Sequence, residues 1–238
     1  MNEEELRAWL DPQNRQLLTV IEQTVHVRFT LWDGNSYGCQ VHKDEQGVKR
    51  EVEVFYKEPL SQAKIAHEML HAKVDIVLGD GITLFDVPNM TKALEGLLAN
   101  ASQIVNDCEH VIFFPDYLGM GYREEDSFEE YNISEETRNN LDFLCNHGLK
   151  QGCNYDIKRV FQYLSLAFSL RFYPNEDRFT GELDRLRRLD RALYSKVERL
   201  WDDCMELEII PGDRVLLQNA YRNFSTTMNS WFRANKPK

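Results

Sequence analysis

Residues 63–80 read AKIAHEMLHAKVDIVLGD and carry His67, Glu68 and His71 in the order H-E-x-x-H. Two histidines four residues apart leave an α-helix on the same side, so their neutral imidazole lone pairs can converge on one metal ion. Glu68 is turned about 100° round the helix from His67. It is badly placed to bind the same ion, but a carboxylate there can take a proton from water activated by the metal. The spacing therefore points to metal-assisted hydrolysis, with His67 and His71 as metal ligands. Glu68 is the general base and afterwards protonates the leaving amine. Such a site needs a third protein ligand and an open fourth position.

The surrounding residues say where these side chains must lie. On a helical wheel Leu60, Ala63, His67, Leu70, His71 and Val74 share one stripe, while Ile65, Met69, Ala72 and Ile76 cover a second. A helix starting near Glu58-Pro59 or Ser61 and ending at LGDG (78–81) is thus expected to be largely buried. Two unliganded imidazoles there would be costly to desolvate, which favours a metal site over a pair of core histidines.

A second helix is expected from Thr91 to Phe113, with an apolar stripe through Leu94, Leu97, Leu98, Ala101, Ile104, Val105, Cys108 and Ile112. Its segment NDCEH (106–110) offers the third ligand. Glu109 lies about 80° from the centre of that stripe and is the favoured candidate on the wheel. His110 points nearer the opposite face, but imidazole serves zinc equally well. Asp107 is a weaker candidate, and Asn106 or the losing residue could orient a ligand. Cys108 lies on the apolar stripe and reads as a small hydrophobe. Tyr117, Tyr122 and Tyr131 follow and could donate to an oxyanion. His26, His42 and His147 have no metal spacing.

Before the motif, Asp11-Pro12 marks a helix start, with the helix over 12–23. VHVRFTLWD alternates Val25, Val27, Phe29 and Leu31 with polar residues, the period of a half-buried strand. DGN (33–35) turns the chain, SYGCQVH is expected to pair back on the first strand, and VKREVEVFY makes a third. The expected sheet is small, three-stranded and antiparallel, packed on the motif helix. If its last strand is an edge, an extended substrate could add to it by strand pairing. Residues 82–89 read as a loop, FFPDYLGMGY breaks the second helix, and REEDSFEEYNISEET reads as an acidic surface loop. Helices then follow over roughly 135–148, 155–172, 180–207 and 212–234. The fold class is α+β with an all-helical C-terminal half. Residues 1–150 form the motif-bearing domain and 151–238 a helical region packed on it, or the two form one domain.

IAHEMLHA after a three-stranded sheet resembles the HExxH zinc metallopeptidases, the zincins. It is most similar to small bacterial intracellular members, including the ImmA/IrrE-type regulatory peptidases, and the resemblance covers residues 48–125. It implies a zincin-like domain, Zn2+ held by His67 and His71, and Glu68 as base toward a peptide bond of a protein or peptide substrate. A metzincin would continue H-E-x-x-H-x-x-G-x-x-H, but Val74 and Val77 stand where its glycine and histidine belong. A gluzincin-like arrangement remains, with its third ligand on the later helix, here Glu109 or His110. Two other readings stay open: a non-catalytic regulatory or interaction module on a zincin scaffold, and a hydrolase of a non-peptide amide. The intact Glu68 favours catalysis.

Bulk properties narrow the classes further. A net charge of −11 opposes nonspecific binding to nucleic acid or anionic membrane. No apolar run approaches the ~18 residues of a membrane span. The acidic start MNEEELRAWL does not resemble a signal peptide. Five scattered cysteines without a C-x-x-C pair suit a reducing compartment, and a cytoplasmic location is expected.

Overall fold

The computed structural model describes residues 2–34, 36–79, 89–99, 101–126, 135–172 and 179–238. The chain divides into two compact units, Met1–Gly79 with Phe113–Tyr131, and Asp80–Ile112 with Asn132–Lys238.

The first unit begins with a short helix that the sequence pattern did not suggest, α1 (Glu3–Trp9). Asn2 and Glu5 close a reciprocal capping box at its start, and three glutamates in the first turn complement the helix dipole. As expected, Asp11 caps α2 (Pro12–Glu22), its carboxylate accepting from the Asn14 amide at 2.8 Å. Strands β1 (His26–Leu31), β2 (Gly38–Lys43) and β3 (Lys49–Tyr56) follow.

The sheet is mixed rather than antiparallel, in the order β1-β3-β2. β1 does not pair with β2; it runs parallel to β3, with Val27 opposite Val52 and Phe29 opposite Val54. β2 pairs antiparallel with β3 through a turn in which the Asp44 carboxylate accepts from the amides of Gln46 and Val48. Burial explains the order. β3 buries Val52, Val54 and Tyr56, whereas β2 has no fully buried residue and suits an edge. The strand before the motif helix is therefore central, and no substrate can add to it. The outer side of β1 is blunted by Arg7, which donates to the Val27 carbonyl and covers the Phe29 ring. On the face of β3 opposite the core, Glu53 is buried beneath Thr30, Arg28 and His42. The hydroxyl of Thr30, foremost among them, holds its carboxyl below the usual carboxylate range.

Helix α3 (Gln62–Leu78) carries the motif and packs against α2 and strands β2 and β3. Its start is fixed by a buried polar network. Asn14, fully buried, donates to the backbone and side-chain oxygens of Gln62 and to the Tyr122 hydroxyl, each at 2.9 Å. Tyr122 donates to Asp11 at 2.5 Å, and Gln62 accepts from the Asp11 amide. One asparagine thus ties the first residue of the motif helix to α2 and to the chain beyond α5 (Ala101–Gly119).

The helix expected from Thr91 to Phe113 is two helices, α4 (Lys92–Leu98) in the second unit and α5, whose residues from Phe113 on belong to the first. α5 runs through Pro115 to Gly119, although the proline forgoes the hydrogen bond to the Val111 carbonyl. The C-terminal half is not purely helical. α6 (Glu135–His147) leads to a two-stranded hairpin, β4 (Lys150–Gln151) and β5 (Asn154–Tyr155), before α7 (Ile157–Arg171). The long charged helix expected over 180–207 breaks into α8 (Thr180–Leu189) and α9 (Arg191–Met205). Asp190 is extended and caps α9, while the Tyr163 hydroxyl donates to the Leu186 and Asp190 carbonyls at the break. α10 (Arg214–Asn235) packs on α9 and α4 and contributes Tyr221, Phe224 and Met228 to the core. No helix among the described residues is long and apolar enough to cross a membrane.

Asn14→Ala is expected to leave the Gln62 and Tyr122 groups without their buried partner and to cost roughly 1–3 kcal/mol. Urea unfolding checks this against Gln13→Ala, an exposed neighbour expected to change stability by less than about 0.5 kcal/mol.

Candidate metal centre

α3 is buried round most of its circumference, with Ile65, Ala66, Met69, Leu70 and Ala72 inaccessible beside the two histidines. His67 is 8% exposed and His71 7%. Their Nε2 atoms lie 3.0 Å apart, with the rings inclined at 62°. Two bare lone pairs at that distance repel, so the arrangement requires a shared proton or a shared cation. Bonds of about 2.0–2.1 Å to a tetrahedral metal place two nitrogens about 3.3–3.4 Å apart. The pair is thus within a few tenths of an ångström of ligand spacing.

Burial also sets the protonation state. It pushes His71 down to about 3. It holds His67 well below the usual imidazole range, with His71 and Lys64 adding to the effect. Both rings are neutral at pH 7, the state a metal ligand needs.

The third member comes from α5. The ligand atoms of His67, His71 and His110 all lie within 4.8 Å of one another, close enough to hold a metal ion. His110 is half-buried. Glu109, favoured on the sequence wheel, is outside this group of three, as are Asp107 and Glu68. Within α5 the apolar stripe of Ala101, Ile104, Val105, Cys108 and Ile112 still leaves Glu109 about 80° from its centre, but the side that meets the two imidazoles lies opposite that stripe. Within α5, residues 110, 113 and 117 share a face by helical spacing. Phe113 meets both imidazoles edge-on, at 5.2 Å from His67 and 4.8 Å from His71, and Tyr117 stands 6.4 Å from His67. Phe113 went unnoticed in the sequence, although its spacing of three from His110 was a signal that could have found it.

The other side of α5 is structural. Cys108 is fully buried beside Cys204 and Tyr221, and burial pushes its thiol well up. Asp107 accepts from Gln103 at 2.9 Å, and Asn106 is half-buried.

Glu68, half-buried, occupies the position after His67 that the motif gives to a base. The tyrosine hydroxyls have other acceptors. Tyr117 donates to the Arg123 carbonyl and Tyr122 to Asp11, and burial, then Asp11, push the Tyr122 hydroxyl pKa up. Tyr131 lies outside the described residues. His42 contacts Glu53, His147 stacks on Phe143, and His26 is exposed.

Three imidazoles without a carboxylate form a neutral donor set, so a divalent ion held there keeps its full charge toward a fourth ligand. No family model matches the chain, and neither the search of curated proteins nor that of solved structures found a match.

The depressed histidines predict a pH dependence. Their folded pKa values lie below the ~6.5 of a free imidazole, so unfolding takes up protons in that window and stability rises with pH through it. As pH falls from ~6.5 toward the His71 value of about 3, metal-free protein is expected to lose roughly 1.4 kcal/mol per pH unit per histidine. Urea midpoints of chelator-treated wild type should fall more steeply between pH 6.5 and 5 than those of His71→Gln. Equal slopes would contradict the assignment.

Proposed function

We propose that the chain is a zinc-dependent hydrolase of zincin type that cleaves a peptide bond in a protein or peptide substrate. The observation that carries this reading is the convergence of His67, His71 and His110 from two helices, in a frame that puts Glu68 one residue beyond the first ligand. Zinc suits the donors, since it favours imidazole nitrogen and tetrahedral geometry. When bound, it supplies Lewis acidity toward a carbonyl oxygen and toward water.

The chain's own residues do the rest. The buried rings of α3 offer neutral lone pairs without having to lose protons. Glu68, less buried than His67 and His71, takes a proton from the attacking water and passes it to the leaving amine nitrogen. Phe113 and Tyr117 enclose the histidines in apolar surface, which strengthens electrostatic interactions there. With histidine rather than glutamate as third ligand, the donor set departs from the gluzincin pattern.

A second reading is favoured by the depth of His67 and His71: a metal that only braces the fold of a regulatory or interaction module. Two measurements separate the readings. Elemental analysis of purified protein should give one zinc per chain. His110→Ala should weaken zinc retention at least about tenfold, and Glu109→Gln should not. Glu68→Gln should keep the zinc yet lower turnover of a peptide library about 10²–10⁴-fold. Protein without stoichiometric metal sinks the hydrolase reading. Zinc-loaded wild type with no peptidase activity above Glu68→Gln favours the bracing role.

A further inference from the structure

We infer that Phe113 is a positioning residue of the metal centre, fixing the ring planes of His67 and His71 relative to the helix that supplies His110. The inference rests on the metal-binding reading above and adds a residue that the motif does not contain.

An imidazole donates along a lone pair in its own ring plane, so its side-chain torsions decide whether Nε2 reaches the ion. A half-turn about the second torsion replaces Nε2 by a carbon. Two rings four residues apart on α3 must both be held against that rotation. Phe113 contacts both. Its ring is fully buried and stands at 83° to His67 and 85° to His71, with centroids 5.2 and 4.8 Å away. These are edge-to-face geometries, the arrangement that aromatic quadrupoles favour. Phe113 also follows His110 by three residues on α5, a rise of about 4.5 Å on the same helix face. One rigid side chain therefore refers two ligands on α3 to the helix bearing the third. Leucine would fill much of the same volume but has no flat edge to set a ring plane.

The test compares zinc affinity, by competition with a chromophoric chelator, and the visible absorption of the cobalt-substituted protein. Phe113→Leu should lower zinc affinity about 10–100-fold, the range for residues that orient metal ligands, and shift the cobalt bands. Phe113→Met should act in the same direction and replaces the leucine variant if that one does not fold. Ile104→Ala, a buried change elsewhere on α5, should lower thermal stability while leaving zinc affinity within about threefold of wild type. Affinity within threefold of wild type and an unchanged cobalt spectrum in the Phe113 variants overturn the inference. So does an equal loss of affinity in Ile104→Ala. Wild type that binds neither zinc nor cobalt overturns instead the reading on which the inference rests.

Discussion

Two neutral imidazoles 3.0 Å apart on a buried helix are the constraint around which the first unit is organised. Burial alone would make such a pair expensive, since each ring must leave water and give up its proton affinity. A shared cation would turn that cost into pre-organisation, because the two rings are already buried, neutral and close. The sheet and α2 act on this pair through α3, whose first residue is pinned by the Asn14, Gln62, Asp11 and Tyr122 network. A metal centre tolerates little looseness in its ligands, and the polar groups at the start of the motif helix supply part of that rigidity.

α5 serves two masters. The face with Cys108 packs among Cys204 and Tyr221, where burial pushes the thiol well up and leaves it inert. The face with residues 110, 113 and 117 presents an imidazole and two aromatic rings. Glu109 falls between the two, which is why a helix with acidic and histidine candidates side by side contributes the histidine to the cluster. The resulting donor set carries no negative charge, so an ion in it would polarise a fourth ligand more strongly than one partly neutralised by a carboxylate.

The sequence carried the local parts of this arrangement well. The helical spacing of His67 and His71, the apolar surround of α3 and the Asp11-Pro12 start of α2 were all legible, because each depends on neighbours within a few residues. Features decided by distant contacts were not. A turn at DGN could not reveal that β1 prefers β3 to β2, since that choice follows from which strand has the most apolar face to bury. A charged run from 180 to 207 gave no sign that Asp190 would leave the helix and cap the next one, satisfied there by tyrosines from elsewhere. The short hairpin at Lys150–Tyr155 is too brief to register in a periodic pattern. The side of α5 that meets the two imidazoles mattered most, because the apolar stripe through Cys108 marks where the helix packs beside Cys204 and Tyr221, not where His67 and His71 lie.

X-ray absorption at the zinc edge of the metal-loaded protein reports directly on whether three imidazoles hold one metal ion. One zinc with nitrogen and oxygen neighbours at about 2.0–2.1 Å, and outer-ring scattering that fits three imidazoles, is expected. His110→Ala should reduce that fit to two imidazoles. A sulfur shell at about 2.3 Å would contradict the account by bringing in a cysteine. So would a wild-type spectrum that already fits only two imidazoles and does not change in His110→Ala.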